Sequence, residues 1–269
     1  MRPAALAAML LATIGAMGEA TDCLNPNLVQ ADNRIVTSHF AGASNGITPT
    51  YWYGLYGQAG HSYSAEFVAT IDNENTSTSI GFKDLYVWGP YDIANLQQNG
   101  CFAGSSVAYW ATQVYSPSLA RSKYGTGQWV SISSTVAGLY ILSITNSQAQ
   151  GTYSYRFVDT TLFNPRWSTW SGFDTSWGFT NMSDMLVTGT LYVYGSNNQL
   201  IKSVTITIPA NQQVFHSTYS YDLNLPRSRD GFAIFAHNGP PGAILADANM
   251  QNSAMTVVVP SKFEARYAQ

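Results

Sequence analysis

Gly42-Ala43-Ser44-Asn45-Gly46 matches G-x-S-x-G, with Ser44 where a hydrolase keeps its nucleophile. His237 and several aspartates follow it in a hydrolase-like order. That chemistry needs a strand-to-helix turn that lifts the hydroxyl out of an α/β sheet. The residues after Gly46, ITPTYWYG, read as loop and then strand. A Gly/Ser loop is therefore the first reading of this stretch, and a serine hydrolase the remote one.

Metal chemistry has two candidate sources. The four histidines, His39, His61, His216 and His237, show no i,i+2 or i,i+4 spacing, so no local metal site is encoded. His216 and His237 both fall on expected strands and could meet in space. Asp72 and Glu74, in DNENTSTS (72–79), gather carboxylate and amide oxygens in one loop. Ca2+ takes ligands of that kind, and a solvated hairpin tip is the alternative. A glycosidase needs two carboxylates facing each other across a cleft. The acidic residues here are scattered mostly on turns, and no such pair stands out. Asn75-Thr76-Ser77 and Asn181-Met182-Ser183 have the form of glycosylation acceptors.

The aromatic residues carry the strongest signal. RWSTWSGFDTSWGF (166–179) holds three tryptophans and two phenylalanines. Laid on a strand, Trp167, Phe173, Trp177 and Phe179 share one face and read as core. Trp170 falls among the polar residues. A break at Ser171-Gly172 could turn it inward; otherwise it is exposed, a flat apolar floor for a sugar ring. In TYWYGLYG (50–57), Tyr51, Tyr53 and Leu55 share one face, and Trp52 and Tyr56 the other. Trp170, Trp52, Trp88 and Tyr56 are the candidate ligand-binding residues. Such surfaces suit glycan contact and protein assembly alike.

Composition limits the partners. The chain has 12 Lys and Arg against 15 Asp and Glu, a net charge of −3, and only 10% charged residues. Nucleic acid would need a basic cluster to neutralise phosphates, and none exists. No later segment has the length and purity of a membrane-spanning helix. Residues 1–20 read as a signal peptide: Arg2, an apolar run from Ala4 to Ile14, and small residues Gly18 and Ala20 at a cleavage site. That predicts a secreted or cell-surface protein. In an oxidising compartment, Cys23 and Cys101 are expected to form a disulfide, which would stabilise by roughly 4 kcal/mol.

The elements that must position these residues are strands. Apolar residues alternate with polar ones along Tyr63–Ile71, Tyr153–Phe157, Val204–Ile208 and Met255–Val259, with Gly, Asn, Ser and Pro between the runs. In the first of these, Ser62, Ser64 and Glu66 take the polar positions. The pattern predicts an all-β protein of two antiparallel β-sandwich domains in tandem, 21–160 and 163–269, with Asn164-Pro165 marking the boundary.

The first half carries YWYGLYGQAGHSYSAEFVA (51–69), LYVWGP (85–90) and AGLYILSITNSQAQGTYSYRFV (137–158). This order resembles the bacterial pre-peptidase C-terminal domain, a jelly-roll-like sandwich of exported proteins. Gly138-Leu139-Tyr140 and Gly151-Thr152-Tyr153 fit its last two strands. The resemblance implies a non-catalytic accessory module, with calcium bound in some relatives. The second half, through GTLYVYGSNNQLIKSVTITIPANQQV (189–214), resembles an immunoglobulin-like domain of bacterial surface proteins.

The expectation is therefore a non-catalytic interaction or structural module of a bacterial envelope or extracellular matrix. Its partner would be a glycan or an extracellular protein, and a homo-oligomer is possible. The alternative is a carbohydrate-binding protein that uses Trp170 with Trp52 or Trp88.

Overall fold

The structure, a computed structural model, describes residues 23–40, 50–70, 82–91, 109–111, 127–134, 136–146 and 151–265. Among them the chain is all-β apart from one 3-10 turn at Trp170–Gly172. The signal segment expected over 1–20 lies outside the described residues, as do Ser44, Asp72, Glu74, Asn75 and Cys101.

The first nine strands are β1 (Asn27–Val29), β2 (Val36–Phe40), β3 (Thr50–Gly57), β4 (His61–Thr70), β5 (Phe82–Tyr91), β6 (Tyr109–Ala111), β7 (Gly127–Ser134), β8 (Gly138–Asn146) and β9 (Gly151–Asp159). They form two sheets, ordered β1-β3-β8-β5-β6 and β2-β9-β4-β7. The β1–β3 pairing is parallel and the others are antiparallel. One apolar cluster draws on both sheets: Tyr53, Leu55 and Leu142 from the first, Phe67, Ile132 and Phe157 from the second. The tyrosines there bury their rings and pair their polar ends, as the Tyr53 and Tyr153 hydroxyls do.

The alternation along β4 does not separate core from solvent. Tyr63, Ala65 and Phe67 face the cluster, yet Ser62, Ser64 and Glu66 are buried as well. Glu66 is tolerated there because Arg156, its neighbour on β9, donates to its carboxylate and also reaches Asn33. A buried charge persists only when paired in this way.

The later strands are β10 (Leu162–Ser168), β11 (Phe173–Asn181), β12 (Val187–Gly195), β13 (Leu200–Ile208), β14 (Gln213–Ser217), β15 (Asp230–His237), β16 (Ile244–Asn252), β17 (Val258–Lys262) and β18 (Glu264–Ala265). They form sheets ordered β13-β12-β15-β10-β18 and β14-β11-β16-β17. Trp167, Leu191, Val193 and Phe235 from one sheet and Trp177, Phe179 and Ala248 from the other build a second apolar cluster. The stretch 166–179 is thus two strands in different sheets, joined by the Trp170 turn. Its odd-numbered tryptophans still face inward on both sides of that turn.

One expected strand ends differently. Met255 lies in a turn, and Met255, Val257 and Val259 are all exposed. Among the described residues β17 (Val258–Lys262) is the edge strand of its sheet, and Met255 and Val257 precede it.

The two sets of sheets meet at Thr160 and Thr161, both buried. The Ser62 N–H donates to Thr161 Oγ1 at 2.9 Å, and Thr160 Oγ1 donates to Ser62 Oγ at 3.0 Å. The His237 N–H also donates to Ser62 Oγ, at 3.0 Å. His61 is buried beside them, its Nδ1 2.9 Å from Asp159 Oδ2.

Candidate functional site

The Trp170 turn is built by its neighbours' polar side chains. Thr169 is the hub: its hydroxyl donates to the Pro226 carbonyl at 2.8 Å and accepts from the Arg229 N–H at 3.0 Å. Its own N–H donates to the Arg229 carbonyl at 2.7 Å. The Trp170 N–H donates to Ser168 Oγ at 3.1 Å. The chain then passes through left-handed backbone at Ser171 (φ 52°) and Gly172 (φ 77°). Glycine takes that conformation freely, whereas serine there is strained. The turn closes with the Phe173 N–H on the Trp170 carbonyl, and the Ser253 N–H holds the Gly172 carbonyl at 3.1 Å.

The result is a fixed turn whose indole points outward: Trp170 is 52% exposed. The break at Ser171-Gly172 therefore turns Trp170 away from the core. The same end carries Tyr219, whose hydroxyl donates to the Phe173 carbonyl at 2.8 Å. The Arg227 guanidinium sits 3.6 Å above the Tyr219 ring, a cation–π contact. Tyr221, close to Tyr219 in sequence, is fully exposed. An exposed aromatic ring on a turn whose backbone is held in this way can stack on a ligand face.

The other candidate aromatics lie in the first half. Trp52 is half-buried and packs with Cys23 against Leu139 and Ile141. Tyr56 is 50% exposed on the same strand. Trp88 stands on β5 at the position paired with Ile141. Trp170 stands apart from them, on the turn between two sheets of the second half. Cys23 is disulfide-bonded.

The histidines go separate ways. His39 is exposed on β2. His216 Nδ1 lies 2.8 Å from Asp222 Oδ2. Burial pushes the Asp222 carboxyl up, but the Ser220 hydroxyl and His216 outweigh it and hold it below the usual range. His237 is buried at the junction. Its Nδ1 accepts from the Gly239 N–H at 3.2 Å, and its ring also hydrogen-bonds the Thr160 backbone. Burial pushes its pKa down to about 4, against the Thr160 bond, which favours the protonated form. Both ring nitrogens are thus engaged in a neutral imidazole. No group of three or more His, Cys, Asp or Glu that could hold a metal occurs among the described residues.

Asn181 is not available as a glycosylation acceptor. It is fully buried, and its amide donates to the carbonyls of Met185, Ile208 and Pro209 at 2.7, 3.0 and 3.2 Å.

No family model matches the chain, and no curated protein matches it. Among solved structures it aligns with a β-glucuronidase from glycoside hydrolase family 2, at 10% identity over 82% of this chain and 24% of that one, TM-score 0.18. It also aligns with a glycosyl hydrolase family 2 member from Bacteroides cellulosilyticus DSM 14838, at 8% identity over 80% and 28%, TM-score 0.19. The chain spans about a quarter of the length of each. Likeness at that level carries no argument about fold or function.

The junction of Ser62, Thr160, Thr161 and His237 escaped the sequence reading. No local spacing signals it, because its members are far apart in the chain. No helix among the described residues is long and apolar enough to cross a membrane.

Proposed function

We propose that this chain is an exported, non-catalytic interaction module of two β-sandwiches in tandem, 21–160 and 163–269, acting at a bacterial surface or matrix. The pairing of sheets around one apolar cluster in each half supports the sandwich reading. The observation that carries the function is Trp170, held 52% exposed on a turn fixed by Thr169 and Arg229. A large apolar side chain presented to solvent on a held turn is suited to meeting a partner.

The same observation favours a second reading, in which the partner is a glycan. An exposed indole offers a flat apolar face to the C–H face of a pyranose. Incubation of the purified protein with cellulose, chitin and peptidoglycan separates the two. Retention that disappears in Trp170→Ala supports the glycan. No retention, together with a homo-oligomer or filament by light scattering, supports a protein partner. A monomer that no surface retains and no protein meets would overturn the proposal.

A further inference from the structure

The Trp170 turn carries unspent positive charge. The segment 226–229 wraps it: Pro226 and Arg229 bond Thr169, and the Ser228 N–H donates to the Thr169 carbonyl at 3.2 Å. Arg227 and Arg229 are both exposed. Arg227 is held from a second side. Its guanidinium lies 3.6 Å above the Tyr219 ring, and the Tyr219 hydroxyl bonds Phe173, the residue that closes the turn. Neither arginine has an acidic partner among the described residues. Two carboxylates of the same stretches are already tied: Asp174 accepts from the Thr218 hydroxyl, and Asp222 pairs with His216. That leaves two guanidiniums without an ion pair against one carboxylate, Asp230, beside Arg229.

These groups narrow the ligand. A guanidinium laid on a ring keeps its N–H edge free, and that edge is a fork matched to the two oxygens of a carboxylate. The Tyr219 contact holds the fork in place before a ligand arrives. The exposed indole takes the apolar face of a sugar ring. A pyranose that bears a carboxylate satisfies both. We infer that the Trp170 platform binds an acidic polysaccharide of uronic-acid type, with Arg227 as the group that selects the carboxylate. The inference rests on the glycan reading of Trp170. A net charge of −3 opposes a general affinity for polyanions, so such binding is local to the platform.

The test is titration calorimetry of the full chain with soluble polymers. Polygalacturonate and alginate are the acidic polysaccharides, dextran and hydroxyethylcellulose the neutral ones, and polyglutamate a polyanion without sugar. At least one acidic polysaccharide should bind about ten-fold or more tightly than the neutral polymers and polyglutamate, and its affinity should fall as salt is added. Trp170→Ala should abolish this binding, and Arg227→Gln should weaken it by about ten-fold. Arg227→Lys, which keeps the charge and loses the fork, should weaken it too. Both side chains are exposed, so each variant should keep the wild-type unfolding midpoint, which separates lost binding from lost folding. Neutral polysaccharides bound as tightly as the acidic ones, or wild-type affinity in Arg227→Gln, would overturn this inference and leave the glycan reading standing. Polyglutamate bound as tightly as the acidic polysaccharides would overturn it as well, by reducing the site to an ion-exchange contact. Binding of none of the polymers would overturn both.

Discussion

The backbone N–H of His237, at the end of β15, donates to the hydroxyl of Ser62, at the start of β4, at 3.0 Å and across 175 residues of sequence. Through this bond the last third of the chain holds on to its first. The Thr160 hydroxyl donates to the same oxygen, and the His237 ring bonds the Thr160 backbone. One serine, one threonine and one histidine thus tie together the two sets of sheets.

Acid should loosen this tie. The His237 pKa falls from 6.5 to about 4 on folding, so between those values the unfolded chain binds more protons than the folded one. The stability owed to neutral His237 is complete above the unfolded pKa and is lost as pH falls toward the folded one. The shift corresponds to roughly 3 kcal/mol at most. The His61–Asp159 pair lies beside Ser62, so a comparison of variants is needed. Urea denaturation of wild type and His237→Gln between pH 7 and 4 should give a flatter dependence for the variant. Parallel curves would assign the acid response elsewhere.

Ser62→Ala removes the acceptor of the His237 N–H and leaves a buried donor unpaired. The expected loss is about 1–3 kcal/mol, read as a lower denaturation midpoint at neutral pH. A change within experimental error would show that the bond adds nothing to stability.

The tryptophans of 166–179 should part company under mutation. Trp167 is fully buried, and its Nε1 donates to the Tyr194 carbonyl at 2.9 Å. Trp167→Ala should cost about 3–5 kcal/mol through the cavity and the orphaned carbonyl. Trp170→Ala should stay within about 0.5 kcal/mol, because the turn is held by Thr169 and not by the indole. Equal losses in the two variants would contradict the exposed placement of Trp170.

Asn181→Ala should be among the more damaging polar changes. Its amide reaches three carbonyls, and its Oδ1 accepts from the Ser183 N–H at 2.9 Å. A loss of about 1–3 kcal/mol is expected. Expression in a host that glycosylates Asn-x-Ser should leave residue 181 unmodified, as a mass spectrum of the peptide would show.

Strand character was readable in the sequence because side chains alternate faces with a period of two. Tyr51, Tyr53 and Leu55, and Tyr63, Ala65 and Phe67, are buried on the side that alternation assigns them. The fate of the opposite side was not readable. Period two distinguishes two faces but not what covers the second, so Glu66 resembled a solvent-facing residue until Arg156 was placed beside it. Trp170 posed the same difficulty in a turn, where parity has no meaning. Its direction is set by Thr169, Pro226 and Arg229, which meet only in the folded chain. The Ser62–His237 bond was beyond reach for the same reason.

The buried threonines between the two sets of sheets bear on how such a chain could be inherited. Domains strung on exposed linkers can be shuffled, duplicated or lost singly by recombination. Here the connecting residues, Thr160 and Thr161, are themselves locked to Ser62. A genetic crossover between the halves would strand half of a hydrogen-bond network on each product. Descendants of this chain should therefore carry both halves together, travelling as one cassette.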